Sequence, residues 1–143
     1  MMCQLEHVNI SVVDLDRAVA FLQIAFPEFR IRGDGQGEFA DGTSAWLHLG
    51  RDELYVSLNT SSLLTAAREK PAEQYETGIN HVGFVVVDVE ALLRSYEAAG
   101  FMCELKHELP ARKRLYVADA DGIIWEFVEY LSDDFAVRND YSI

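Results

Sequence analysis

Apolar and polar residues alternate along His7-Val8-Asn9-Ile10-Ser11-Val12, with Val8, Ile10 and Val12 on one side. A period of two is that of a half-buried strand. Val82, Phe84 and Val86 alternate in the same way with His81, Gly83 and Val85. An aspartate follows each run, Asp14 and Asp88, where a short carboxylate accepts from the free N–H groups that open a helix. Asp16 and Glu90 then suit the positive end of the helix dipole. The first helix is expected over about Leu15 to Ala25, with Val19 and Leu22 on one side, and the second over about Val89 to Ala99, stopped by Gly100. Three strands are expected after each helix. In the first half they fall near Phe29–Arg32, Ser44–Leu49 and Glu53–Asn59, with Gly33, Gly35, Gly37 and Asp41-Gly42 supplying turns. In the second half they fall near Phe101–Leu105, Arg114–Ala118 and Ile123–Tyr130, with a hairpin turn at Asp121-Gly122.

The two halves are copies. His7-Val8-Asn9-Ile10-Ser11-Val12-Val13-Asp14 and His81-Val82-Gly83-Phe84-Val85-Val86-Val87-Asp88 share His, Val, Val, Val and Asp at an offset of 74. The expected fold class is therefore α+β, two tandem βαβββ modules. One such unit leaves a sheet face uncovered, so two packed together are expected to close a barrel-like cleft or half-barrel. The chain reads as a single domain over 1–143, with module 1 at about 1–60, a linker at about 61–77, module 2 at about 78–131 and a polar, acidic tail at about 132–143. Within the linker, Ser61-Ser62 is placed to cap a short helix through Leu63, Leu64 and Ala67 that Pro71 ends.

Composition narrows the function classes. A formal net charge of −12, from 24 acidic and 12 basic residues, repels a phosphate backbone and excludes nucleic acid as the expected partner. No apolar run reaches the length of about 18–20 residues that a membrane span requires. The start, Met1-Met2-Cys3-Gln4-Leu5, lacks the pattern of a signal peptide, and a cytoplasmic protein is expected. Cys3 and Cys103 are read as free thiols, being a hundred residues apart and in no CxxC pair.

The repeat also lines up candidate chemistry. His7 and His81 open equivalent strands, and the frame Leu54-Tyr55-Val56-Ser57-Leu58 against Ile123-Ile124-Trp125-Glu126-Phe127 matches Ser57 to Glu126. Pairing of the modules about a pseudo-twofold is expected to bring these positions together. His7, His81 and Glu126 make a 2-His-1-carboxylate set with open coordination sites, suited to Fe²⁺, Mn²⁺, Zn²⁺, Ni²⁺ or Co²⁺. Ser57 is a poor ligand for these ions. His48 is expected to face the same way as Trp46 and not to bind metal, and His107 is placed in a charged loop. Arg112-Lys113-Arg114 is read as an exposed loop, or as a contact for an anionic substrate group. Trp46, Tyr55 and Tyr116 line a pocket for a flat or apolar substrate, or pack in the core.

His-Val-x-x-x-Val-x-Asp at the start of each half, with Asp121-Gly122-x-x-x-Glu126 near the end, resembles the vicinal-oxygen-chelate superfamily, the glyoxalase, bleomycin-resistance and extradiol-dioxygenase group. The resemblance covers nearly the whole chain. It implies a glyoxalase-like cleft with ligand positions at His7, Ser57, His81 and Glu126, and a small-molecule substrate bound to the metal through neighbouring oxygens. Ser57 stands where metal-dependent glyoxalase I and methylmalonyl-CoA epimerase have Glu or Gln, which counts against both activities. Two His and one Glu match extradiol dioxygenases and fosfomycin-resistance thiol transferases better. Tyr116 matches a substrate-pocket tyrosine of the latter and Lys106 falls near a phosphonate-contacting lysine, while Asn9 stands where they have threonine. Bleomycin-binding members lack the ligands altogether. The resemblance implies a metal-dependent enzyme of unassigned reaction, with Glu126 and Ser57 as the catalytic positions and Tyr116, Tyr55, Trp46 and Asn9 at the substrate. The alternative is a non-enzymatic drug- or metabolite-binding protein of the bleomycin-resistance type. Family members of this size imply a homodimer.

Overall fold

The computed structural model describes residues 5–39, 42–61 and 79–140, with the side chains of 38, 39, 42, 43 and 61 left aside. The chain divides into two compact units, Met1–Arg68 and Glu69–Ile143.

In the first unit, β1 (His7–Ser11) leads into α1 (Leu15–Ala25), followed by β2 (Arg30–Phe39), β3 (Gly42–Gly50) and β4 (Tyr55–Ser61). The sheet order is β1-β4-β3-β2, with β1 parallel to β4 and the other neighbours antiparallel. The Asp14 carboxylate caps α1, accepting from Arg17 N–H at 3.0 Å. Ile10, Leu47, Leu49, Val56 and Leu58 are buried, as are Phe21 and Leu22 of α1. Full burial of one such side chain is worth about 1.5–3 kcal/mol, so packing against the sheet rather than intrinsic propensity holds an eleven-residue helix.

The second unit repeats the pattern: β5 (His81–Val85), α2 (Val89–Ala98), β6 (Cys103–Leu109), β7 (Arg112–Ala118) and β8 (Ile124–Tyr130), in the order β5-β8-β7-β6. Asp88 caps α2 by accepting from Ala91 N–H at 2.8 Å, and the Glu129 carboxylate reaches across from β8 to accept from Val89 N–H at 2.9 Å. Trp125, Phe127, Leu115 and Val117 of the sheet are buried, as are Val89 and Tyr96 of α2. Burial also pushes the Tyr96 phenol well above its ordinary range. The β7–β8 turn is held by Asp119, whose carboxylate accepts from the N–H groups of Asp121 and Ile123 and from the Trp125 indole. Gly122 takes the left-handed conformation there at φ 78°, which a side chain would resist.

Both modules are thus βαβββ, as the alternation and repeat predict, and several local expectations are corrected. Gly33, Gly35 and Gly37 are not turn residues. They lie inside β2, which extends well beyond Arg32, and they face His48, Trp46 and Ser44 of β3 across the strand pair. A Cβ on Gly35 would stand 2.9 Å from the Trp46 indole nitrogen, so glycine is required by the close approach of a ring rather than by a bend. His107 and Arg112-Lys113-Arg114 belong to strands β6 and β7, not to loops. Lys113 points to the helix side and pairs with Glu90 at 2.7 Å, while Arg114 pairs with Glu108 at 2.8 Å. The tail contains a short helix, α3 (Phe135–Arg138), whose Arg138 guanidinium stacks over Tyr130 at 4.7 Å. Cys103 is a free thiol as expected. The linker helix, the Asp41 turn and Cys3 fall outside the described residues.

Candidate functional site

The strand period divides each sheet into a helix-covered face and an open face, and the chemistry-bearing residues lie on the open ones. In the first unit, His7 stands beside Tyr55, Asn9 beside Ser57 and Ser11 beside Asn59. His48 is opposite Ser57 on the other flank of β4, and Trp46 is opposite Asn59. The His7 ring stacks on Tyr55 at 4.7 Å and 17°, and His48 leans on Tyr55 at 4.6 Å and on Trp46 at 4.9 Å. Asn9 Nδ2 donates to Ser57 Oγ at 3.1 Å, and Asn59 Nδ2 donates to Ser11 Oγ at 3.2 Å. Ser57 is buried, and with its oxygen accepting from Asn9 its hydroxyl proton is left to donate away from β1.

In the second unit, Gly83 is beside Glu126 and Tyr116 is opposite it. The Glu126 carboxylate lies against Gly83, its Oε2 3.5 Å from where a Cβ would stand, an ordinary contact distance. Glu126 Oε2 lies 3.2 Å from His81 Nε2, and Tyr116 donates its hydroxyl to Glu126 Oε1 at 2.6 Å. Arg114 donates to the Tyr116 oxygen at 3.3 Å, and the Lys106 ammonium stands 5.5 Å from the centre of that ring. Burial, then the bond to Glu126, pushes the Tyr116 phenol above its ordinary range, so it stays protonated and donates at neutral pH. The registers place Ser57 and Glu126 at the same position of their sheets. Each sits two residues along from the partner of the first-strand histidine.

Both histidines are oriented from behind. His7 Nδ1 lies 2.9 Å from Glu6 Oε2, and His81 Nδ1 lies 2.9 Å from Asn80 Oδ1. An acceptor at Nδ1 keeps the proton there and leaves the Nε2 lone pair for a metal, the usual outer support of a metal-bound imidazole. The pair of Glu126 and His81 also has the right spacing. Two ligand atoms about 2.1 Å from one ion, at about 90–110° to each other, stand about 3.0–3.4 Å apart, and these are 3.2 Å apart. Among the described residues no three His, Cys, Asp or Glu side chains stand together at ligating distance; His81 and Glu126 of the second unit make a pair. His48 is packed between Trp46 and Tyr55, with no such group around it.

Sequence reasoning overlooked Glu6, Asn80 and Arg32. The first two were within reach, since Glu6 and Asn80 are themselves related by the offset of 74 and are both acceptors. Arg32 was not: its guanidinium lies 4.4 Å over the Tyr55 ring because the β2–β3 register shifts between Ile31 and Gly33.

Two βαβββ units, each with a histidine opening its first strand on an open sheet face, define a duplicated-module α+β protein of glyoxalase type. Residues 4–127 match the family described as Glyoxalase/Bleomycin resistance protein/Dioxygenase superfamily, and the chain belongs to it. Solved structures are similar over most of the chain. A glyoxylase/bleomycin resistance protein/dioxygenase domain from Frankia sp. EAN1pec is 20% identical, with a TM-score of 0.73 over 91% of this chain and 99% of that one. A glyoxalase family protein from Enterococcus faecalis is 19% identical, with a TM-score of 0.68 over 88% and 97%. The fosfomycin resistance protein FosX from Listeria monocytogenes, complexed with Mn(II) and sulfate, is 19% identical, with a TM-score of 0.68 over 98% and 100%. Comparison with the curated proteins found no match. Among the described residues no helix is long and apolar enough to cross a membrane.

Proposed function

We propose that this protein is a metal-dependent enzyme acting on a small molecule, with His7, His81 and Glu126 as ligands of one divalent ion. The observation that carries the reading is the 3.2 Å approach of His81 Nε2 to Glu126 Oε2, each held by a second group that leaves the ligating atom free. Without an ion, an Nε2 lone pair facing a carboxylate is repulsive unless a proton sits between them. With one, both are attracted to a common charge. The similar FosX structure was solved with Mn(II), which favours an ion of that class.

When bound, the ion supplies a Lewis acid that polarises substrate oxygens and stabilises charge developing on them. The chain's own residues do the rest. Glu126 is anchored by the Tyr116 hydroxyl at 2.6 Å and cannot swing freely. Ser57, at the fourth equivalent position, donates a hydrogen bond to a substrate oxygen rather than ligating, since its own oxygen is engaged by Asn9. Tyr55 and Trp46 line the substrate's surroundings. Both units serve one site in this reading, in a homodimeric cytoplasmic protein. A monomeric mass by light scattering would remove the dimer from it.

Elemental analysis of protein purified without added metal should find about one equivalent of a transition ion per chain. His7→Ala should abolish both bound metal and turnover of whichever substrate is found. Survival of both would end the proposal. The second reading, non-enzymatic capture of a drug or metabolite, is favoured by the acidic net charge of −12. Ligand binding that is equally tight in excess chelator, by protein carrying no metal, would support it instead.

A further inference from the structure

The open face of the first unit carries a feature that metal ligation does not use. Gly33, Gly35 and Gly37 place three consecutive open-face positions of β2 without a side chain. The Trp46 indole lies against the Gly35 and Gly33 positions of that track. An ideal Cβ on Gly35 would stand 2.9, 3.0 and 3.0 Å from Trp46 Nε1, Cε2 and Cζ2, and one on Gly33 would stand 4.0 Å from Cη2 and Cζ3. Near-equal distances to several ring atoms mean that the indole lies with one face down on the β2 backbone. Its other face therefore looks away from the sheet, and Trp46 is half-buried rather than covered.

A cation is aimed onto the same face. The register shift between Ile31 and Gly33 puts an extra residue into β2, and that residue is Arg32. Its guanidinium crosses to Tyr55 and rests 4.4 Å over the ring, beside the stacked His7 and the tilted His48. Arg30 nearby is neutralised by Asp52, whereas Arg32 faces no carboxylate among the described residues. Aromatic packing fixes the guanidinium without consuming its hydrogen-bond donors, which remain available to a carboxylate or similar anion.

We propose that this face binds a planar aromatic anion, its ring stacked on the outer face of Trp46 and its charged group on Arg32. The inference names the substrate class of the proposed small-molecule site and rests on that reading only in placing the ligand on the open face. It does not require the metal. Stacking on a pre-seated indole favours flat rings over saturated ones, and the Arg32 guanidinium, facing no carboxylate among the described residues, selects for negative charge despite the acidic whole.

The test uses 2-naphthoate, with neutral 2-naphthamide and saturated decalin-2-carboxylate as comparisons, in excess chelator, so that it is blind to whether His7, His81 and Glu126 hold an ion. The chain has two tryptophans. Trp125 is buried with its indole N–H on Asp119 at 3.0 Å, and it serves as an internal reference. In a ¹H–¹⁵N spectrum 2-naphthoate should move the Trp46 indole signal saturably and leave that of Trp125 in place. By calorimetry Trp46→Leu should weaken 2-naphthoate about tenfold. Arg32→Gln, an exposed substitution, should weaken it about fivefold while leaving 2-naphthamide unchanged. Absence of 2-naphthoate binding at millimolar concentration, equal binding of the decalin acid, or indifference to both substitutions would each overturn the proposal. Binding that survives in a protein shown to take no metal would leave it standing and retire the metal reading alone.

Discussion

Asp119 concentrates the cost and benefit of a buried charge in one side chain. Its carboxylate takes three donors, two backbone N–H groups at 2.9 Å and the Trp125 indole at 3.0 Å. Desolvation nevertheless wins over those bonds and raises its pKa above the ordinary 3.8. The folded state therefore holds this proton more tightly than the unfolded chain. The stabilisation from protonation is complete at low pH and is lost as pH rises through the raised value, so at neutral pH the three bonds offset a charge penalty. Asp119→Ala leaves three donors unmet and should cost about 2–3 kcal/mol in urea unfolding at pH 7; a loss below about 0.5 kcal/mol, the size of an ordinary surface change, would show that the turn stands without it. Asn80 is the contrasting case, an exposed residue that acts only through His81 Nδ1. Asn80→Ala should leave the melting temperature unchanged and weaken Mn(II) binding about tenfold, the usual effect of losing an outer partner. Unaltered Mn(II) affinity would mean that the ring needs no such support.

At the scale of elements, what was legible followed from local rules. Asp14 and Asp88 cap their helices as the sequence predicts, because a cap needs only a carboxylate and the next few N–H groups. The first strands, the helices and the equivalence of Ser57 with Glu126 were legible because alternation and repetition are written along the chain. The glycine track was not. Whether Gly35 is a turn or a slot depends on Trp46, its partner across the strand pair, and nothing in the neighbourhood of Gly35 announces that partner. Strand ends at Leu109 and Arg112 were missed for a similar reason, since charged residues there are satisfied by partners elsewhere in the fold, Lys113 by Glu90 and Arg114 by Glu108. Gly35→Val must push the indole off β2 and should destabilise by about 1–3 kcal/mol, as overpacking does. A neutral effect would mean the track has room to spare. The link between α2 and β7 carries a pH signature. Lys113 holds the Glu90 carboxyl below its ordinary 4.5, so this contribution is present above that value and lost as pH falls through the lowered one. The difference in melting temperature between the wild type and Lys113→Met should therefore be flat near neutrality and shrink in acid. A difference that grows in acid would contradict the pairing.

For the whole molecule, duplication explains why the proposed ligands are divided between the two units, His7 in the first and His81 and Glu126 in the second. Each unit carries a first-strand histidine with an acceptor behind it, but only the second carries a carboxylate at the matching last-strand position, and the first carries Ser57 instead. The two open faces have diverged accordingly: one holds Glu126, Tyr116, Arg114 and Lys106, the other the aromatic group of His7, Tyr55, His48 and Trp46. Membership of the glyoxalase superfamily is compatible with several chemistries on this plan, and the residues around each face, rather than the fold, decide among them. The proposed function requires that His7, His81 and Glu126 take one ion. Titration of metal-free protein with Mn(II), followed by the electron paramagnetic resonance of the free aqua ion, reads this directly. One Mn(II) per chain should be withdrawn from the free signal by the wild type, and His7→Ala, His81→Ala and Glu126→Ala should each lose that site while remaining folded. Undiminished Mn(II) binding by all three variants, or none by the wild type, would contradict it.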